Sequence, residues 1–149
     1  MIAISLPATR RKWETLSFAS TLYLYPILDL LLADIPREWE PELRLGLQEA
    51  LVNAAVHGNK LDPSKTIVVQ FSMSDDFYSW VISDEGCGFD KQCGCPSDPE
   101  ELLPSEEAEK GRGLCLLYQI FDRVDWNQQG NQLRLCKQVK GGKNKRPLF

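Results

Sequence analysis

A chain of 149 residues, 43% apolar and 26% charged, has room for one globular domain with a single sizeable core. A net charge of −4 argues against a general nucleic-acid binder, which needs a basic face for phosphates. No apolar run approaches the roughly 20 residues of a membrane span. Residues 1–11 lack the layout of a secretory signal, and five scattered cysteines form no disulfide framework, so the chain reads as cytoplasmic.

Ile2, Ile4 and Leu6 alternate, which predicts a short first strand ended by Pro7. From Trp13 to Ala33, the spacing of Leu16, Ala19, Tyr23, Ile27, Leu30 and Leu31 predicts a helix, kinked or restarted at Pro26. Ile35-Pro36 stops it. Glu40-Pro41-Glu42 opens the next helix, with acidic residues at its positive end, and Gly58 closes it. After a turn over 60–65 containing Asp62-Pro63, the period changes to two. Thr66 to Ser72 and Phe77 to Ser83 read as strands around an Asp75-Asp76 turn.

Asp84 to Lys110 has almost no periodicity and is rich in Gly, Pro, Ser and acid. A structureless stretch of about 25 residues is long for a compact domain, which suggests a functional lid. Leu114 to Phe121 reads as an apolar helix. Arg123 to Trp126 and Gln132 to Gln138 follow as a hairpin turning at Gln129-Gly130-Asn131. Residues 140–149 form a basic tail expected to be disordered, leaving 1–139 as the domain. The order of elements predicts an α/β (α+β) two-layer sandwich: a mixed, largely antiparallel sheet with helices on one face.

Within the helix expected over 41–58, Leu43, Leu45, Leu47, Ala50, Leu51, Val52, Ala54, Ala55 and Val56 leave one thin polar line. Glu49, Asn53 and His57 stand at i, i+4 and i+8 on that line. A surface helix has a broad polar face, whereas this one has a slot. A carboxylate in such a slot needs water, a partner or a cation, so the stripe is expected to line a cleft.

Two glycine turns follow in order: Asp84-Glu85-Gly86-Cys87-Gly88-Phe89, leaving a strand, and Lys110-Gly111-Arg112-Gly113-Leu114, entering a helix. Each alone is weak; the ordered triplet is specific. Gly86 and Gly88 let backbone pass close to a flat ligand. Asp84 at the strand end can accept a hydrogen bond from the exocyclic amine of adenine, which guanine lacks at that position. Gly111 and Gly113 expose backbone N–H groups to phosphate oxygens. Asn53 offers a neutral oxygen to Mg²⁺, and Glu49, one turn earlier, can take a proton from an attacking hydroxyl.

His57 suits a bond to a nearby helix-end carbonyl as well as a nucleotide contact. Trp13, Trp39, Trp80 and Trp126 are expected as core or subunit contacts rather than ligand platforms. Cys93-Gly94-Cys95, near Cys87, lacks the usual zinc spacing and reads as free thiols.

With these motifs the chain resembles the GHKL family of ATP-binding domains, and within it the anti-sigma-factor serine kinases of the RsbW and SpoIIAB type. Glu49 and Asn53 match the family's N box. Asp84, Gly86 and Gly88 match its first glycine box, and Gly111 to Gly113 its second. The resemblance covers about Ile4 to Lys137. It implies a Bergerat fold, ATP with Mg²⁺ as cofactor, and γ-phosphoryl transfer to a serine or threonine of a STAS-domain anti-anti-sigma protein. It further implies Glu49 as base, Asn53 as Mg²⁺ ligand, Asp84 as adenine reader, and Lys110 or Arg112 as a phosphate contact.

A sigma factor as second partner and a homodimer through the N-terminal strand and first helix are also implied, with no nucleic acid or membrane. Where the family often has a threonine on the last strand, Gln132 is the expected occupant. The alternative reading is a kinase-inactive, ATP-binding anti-sigma module. A histidine-kinase reading would need a phosphoacceptor histidine, but His57, the only histidine, lies inside the N box.

Overall fold

Side chains that alternate between two faces account for the sheet. The computed structural model, which describes residues 12–87 and 113–139, has five strands: β1 (Glu14–Ala19), β2 (Thr66–Met73), β3 (Phe77–Ser83), β4 (Arg123–Trp126) and β5 (Gln132–Gln138). They run in the order β1-β2-β3-β5-β4, each antiparallel to its neighbour. Ile67 and Val69, Trp80 and Ile82, Leu133 and Leu135 are buried at alternate positions of β2, β3 and β5. They join one core cluster with Leu28 and Leu31 of helix α1 (Tyr25–Leu31), Leu43, Leu47 and Leu51 of α2 (Glu40–Val52), and Leu117 and Ile120 of α3 (113–120). This is the expected two-layer sandwich, consistent with a Bergerat fold.

One expected element is different. The helix read over Trp13 to Ala33 is a strand followed by a shorter helix. Leu16 and Phe18 are half-buried among exposed neighbours in β1 and sit opposite Val69 and Ile67 of β2. That two-residue alternation also fits part of a helical stripe, and pairing with β2 decides between them. Tyr23 and Leu30, expected on a shared face with Leu31, are exposed where Leu31 is buried. Pro26 stands in the first turn of α1, the restart of the two outcomes expected there, at a position where a missing N–H costs nothing. The strand expected at Ile2 to Leu6, most of the segment from Asp84 to Lys110, and the basic tail lie outside the described residues.

Helix α2 starts as expected, with Pro41 in its first turn and Glu40 and Glu42 beside it. Arg44 pairs with Glu40 one turn earlier in α2 at 2.5 Å and ties α2 to α1 through Asp29 at 2.6 Å, with its guanidinium over the Tyr25 ring. Glu42 is buried and pairs with Lys137 of β5 at 3.1 Å. The Lys137 ammonium also donates to the carbonyl of Ile120 at 2.8 Å and lies 4.9 Å from the Trp39 ring centre. Gly46 lets α2 and α3 approach, since a Cβ there would come within 2.6 Å of Phe121 Cε2.

Beyond Val52 the helix widens into a π-helical turn, Asn53–Gly58. The Asn59 N–H reaches back to Ala54 O and the Leu61 N–H to Ala55 O. Lys60 and Leu61, both at φ 56°, then reverse the chain into β2. Two consecutive non-glycine residues in this region are uncommon, and π turns of this kind recur at functional sites. Among the described residues, no helix is long and apolar enough to cross a membrane.

Candidate functional site

The slotted helix, the ends of the strands and the start of α3 line a cleft. Ala50, Asn53, Ala54, His57 and Gly58 form its helical wall. Ile82 and Asp84 come from β3 and the residue just past it, Leu114 from α3, and Trp126, Gly130 and Leu133 from the terminal hairpin. Most of this lining is apolar, with Asn53, His57 and Asp84 as the convergent polar groups, as small-ligand sites require.

Asp84 follows β3 and is held from three directions. Its backbone N–H donates to Asn131 O at 2.9 Å, fixing it to the β4–β5 turn. Its carboxylate accepts the Gly86 N–H at 2.8 Å. The same carboxylate packs on Gly58, where a Cβ would fall within 2.5 Å of Asp84 Oδ2. Gly86 in turn lies on the Gly58 carbonyl, so close that a Cβ at Gly86 would come within 2.5 Å of its carbon. Both positions therefore require glycine for reasons of approach. Burial raises the Asp84 pKa above the ordinary carboxylate value, against the opposing effects of the Gly86 N–H and the Lys65 charge.

The other end of the site is built on α2. Glu49 and Asn53 stand one turn apart, as expected, and Gly113 of α3 meets both. A Cβ on Gly113 would lie 3.1 Å from Glu49 Oε2 and 3.8 Å from Asn53 Nδ2. Glu49 itself is half-buried and stands outside the apolar lining. The fold thus brings Glu49, Asn53 and Gly113 together at one end and places Asp84 and Gly86 at the other. Gly88, Lys110, Gly111 and Arg112 lie outside the described residues. Gln132 is exposed and donates its amide to Ser83 Oγ at 3.1 Å, while Gly130 and Leu133 face the cleft instead.

Asn59 is a residue whose role sequence reasoning did not foresee. It is fully buried, and its amide donates to Ser20 Oγ at 2.8 Å and Thr66 O at 3.1 Å. Its carbonyl oxygen accepts the Glu85 N–H at 2.7 Å, which ties the bend after Asp84 to the end of the π turn. An asparagine just past the helix-closing glycine is a recognisable end signal, but the partners it collects are remote in sequence. Replacing Asn59 by leucine removes the hydrogen bonds to Glu85 N–H, Thr66 O and Ser20 Oγ. A total loss of about 1–3 kcal/mol is expected, read as a lowered melting temperature. An unchanged melting curve would remove Asn59 from this role.

Similarities to known proteins bear on this arrangement. Residues 28–137 match the family model described as "Histidine kinase-like ATPase domain". An 87-residue stretch is 32% identical to the serine-protein kinase RsbW of Bacillus licheniformis, covering 56% of this chain and 54% of that protein. A 94-residue stretch is 31% identical to the anti-sigma F factor of Clostridium perfringens strain SM101, covering 61% and 64% respectively. The chain therefore spans between about half and two thirds of the length of these two relatives. A 133-residue stretch is also 28% identical to part of the acyl-homoserine lactone acylase QuiP of Pseudomonas syringae pv. syringae, where it covers only 14% of that protein.

Proposed function

Because the chain belongs to the histidine kinase-like ATPase domain family, we propose that it is an ATP-dependent protein serine/threonine kinase working as an anti-sigma-type partner switch. Its phosphoacceptor is a STAS-domain protein, and a sigma factor is the competing partner. The observation that carries this reading is the convergence of Glu49, Asn53 and Gly113 at one end of a cleft whose other end holds Asp84.

The residues suit a magnesium nucleotide. The apolar walls match a flat purine, Asp84 presents an acceptor to an exocyclic amine, and Asn53 presents a neutral oxygen of the kind Mg²⁺ takes. ATP supplies the γ-phosphoryl group, and Mg²⁺ neutralises charge on it. Such transfer depends mostly on positioning and electrostatics. Asn53 holds the metal side, and the missing Cβ of Gly113 leaves room beside Glu49 for a phosphate edge. Glu49 accepts the proton of the incoming hydroxyl.

Titration with Mg-ATP by calorimetry tests the binding half of this reading, with Asp84→Asn as the control. Loss of a charge-assisted hydrogen bond is expected to weaken binding about 10- to 100-fold in that variant. Acid should act in the same direction, because the amine needs the ionised carboxylate. Affinity is therefore expected to fall as pH drops through the raised Asp84 pKa, starting at higher pH than an ordinary aspartate would give.

The fold responds with the opposite sign. The contribution of Asp84 to stability is fully present below its unfolded-state pKa and is lost as pH rises through the folded-state value. Acid thus weakens binding while relieving a cost to the fold. No saturation by millimolar Mg-ATP would end the nucleotide reading. Binding without phosphoserine formation would leave a kinase-inactive, ATP-binding anti-sigma module.

A further inference from the structure

Tryptophan at the end of an edge strand usually serves to plug the rim of a core. Trp126 ends β4 opposite Leu133 of β5, and it is half-buried where Leu133 is buried. The other three tryptophans are placed elsewhere: Trp39 and Trp80 are buried in the body of the fold, and Trp13 precedes β1 with 42% of its surface exposed. Trp126 is the tryptophan that lines the cleft, together with Ala54 and Gly58 of the helical wall. Trp126 packs against the core, as expected, and lines the cleft as well.

We propose that Trp126 is a base-binding residue whose indole forms an aromatic wall against the π-face of a purine. The inference rests on the nucleotide reading above and adds a residue to it. Stacking on an indole is tolerant of base identity, because every base has a π-face. Trp126 therefore contributes affinity for the base, while Asp84 selects its edge. Ile82 and Leu133, the apolar neighbours at the same end, keep water from the ring that stacks there.

Intrinsic fluorescence with Mg-ATP, run beside calorimetry, tests this. The wild-type chain is expected to show an emission change that saturates with the calorimetric isotherm. Trp126→Phe should still bind ATP but lose that change, since the remaining tryptophans lie off the cleft. Trp126→Leu should weaken ATP about tenfold, the scale of one lost base stack, with its melting temperature recorded alongside. An emission change that persists in Trp126→Phe would overturn the proposal, as would calorimetric binding by wild type with silent fluorescence. Should Trp126→Leu fail to fold, the phenylalanine variant decides alone. A wild-type chain that binds no ATP at all defeats the nucleotide reading itself, an outcome distinguishable from both, and the wall falls with it.

Discussion

Glu49→Ala is expected to keep Mg-ATP binding and to lose phosphoryl transfer to a STAS-domain serine by about 10²–10⁴-fold, the usual contribution of a positioned general base. The separation of the two effects follows from where Glu49 stands. It is outside the apolar lining that would take the base, and half-buried beside the first described residue of α3. Its oxygen is 3.1 Å from the space a Cβ would fill on Gly113, so its carboxylate faces the same gap as Asn53. Removing it takes an acceptor from the reacting end and leaves Asp84 and the cleft walls untouched. Phosphoserine formation in a single turnover, measured by mass spectrometry at saturating nucleotide, reads the effect. Undiminished transfer would move the base elsewhere, and joint loss of binding and transfer would make Glu49 a structural residue.

The second large effect is expected in the core. Lys137→Met removes the ammonium that pairs with Glu42 at 3.1 Å and donates to Ile120 O at 2.8 Å. Side-chain exposure at the pair is 7% and 0%, so solvent cannot replace the lost charge. Breaking one side of such a buried pair costs about 3–5 kcal/mol, because a buried carboxylate loses its counter-charge. Substituting both partners by apolar residues of similar size is often neutral or stabilising. Glu42→Leu with Lys137→Met is thus expected to recover much of the single variant's loss in urea unfolding. Failure to recover would mean that the pair contributes more than charge compensation, through the Ile120 carbonyl and the Trp39 ring.

Much of this architecture is legible in the residues, and the illegible parts share a cause. Strands β3, β4 and β5 fall where their alternation places them, and β2 extends the expected span by one residue to Met73. In β2, β3 and β5 the buried positions are unambiguous, and each of these strands lies between two others. β1 has only β2 beside it, and Leu16 and Phe18 alone carry its alternation, so a helical stripe through Leu16 and Ala19 competes on equal terms.

At the site, Glu49 and Asn53 lie beside Gly113, and Asp84 and Gly86 lie against Gly58. Local pattern could not indicate that Glu42 meets Lys137, that Asn59 collects Ser20, Thr66 and Glu85, or that Trp126 turns into the cleft. Those depend on which strands become neighbours, a property of the whole topology. The π-helical turn was equally hidden, since Asn53 to Gly58 would suit ordinary helical winding as well.

That turn carries a consequence for how the two ends are tuned. A single rod from Glu40 to Gly58 is wound with two different widths, narrow as far as Val52 and wide after it. The narrow part sets the phase of Glu49 against α3, and the wide part sets the phase of Gly58 against the bend at Asp84. The rotational offset between these contacts is therefore fixed locally, by the extra width of one turn. With that offset fixed, a rotation of one half carries the other with it.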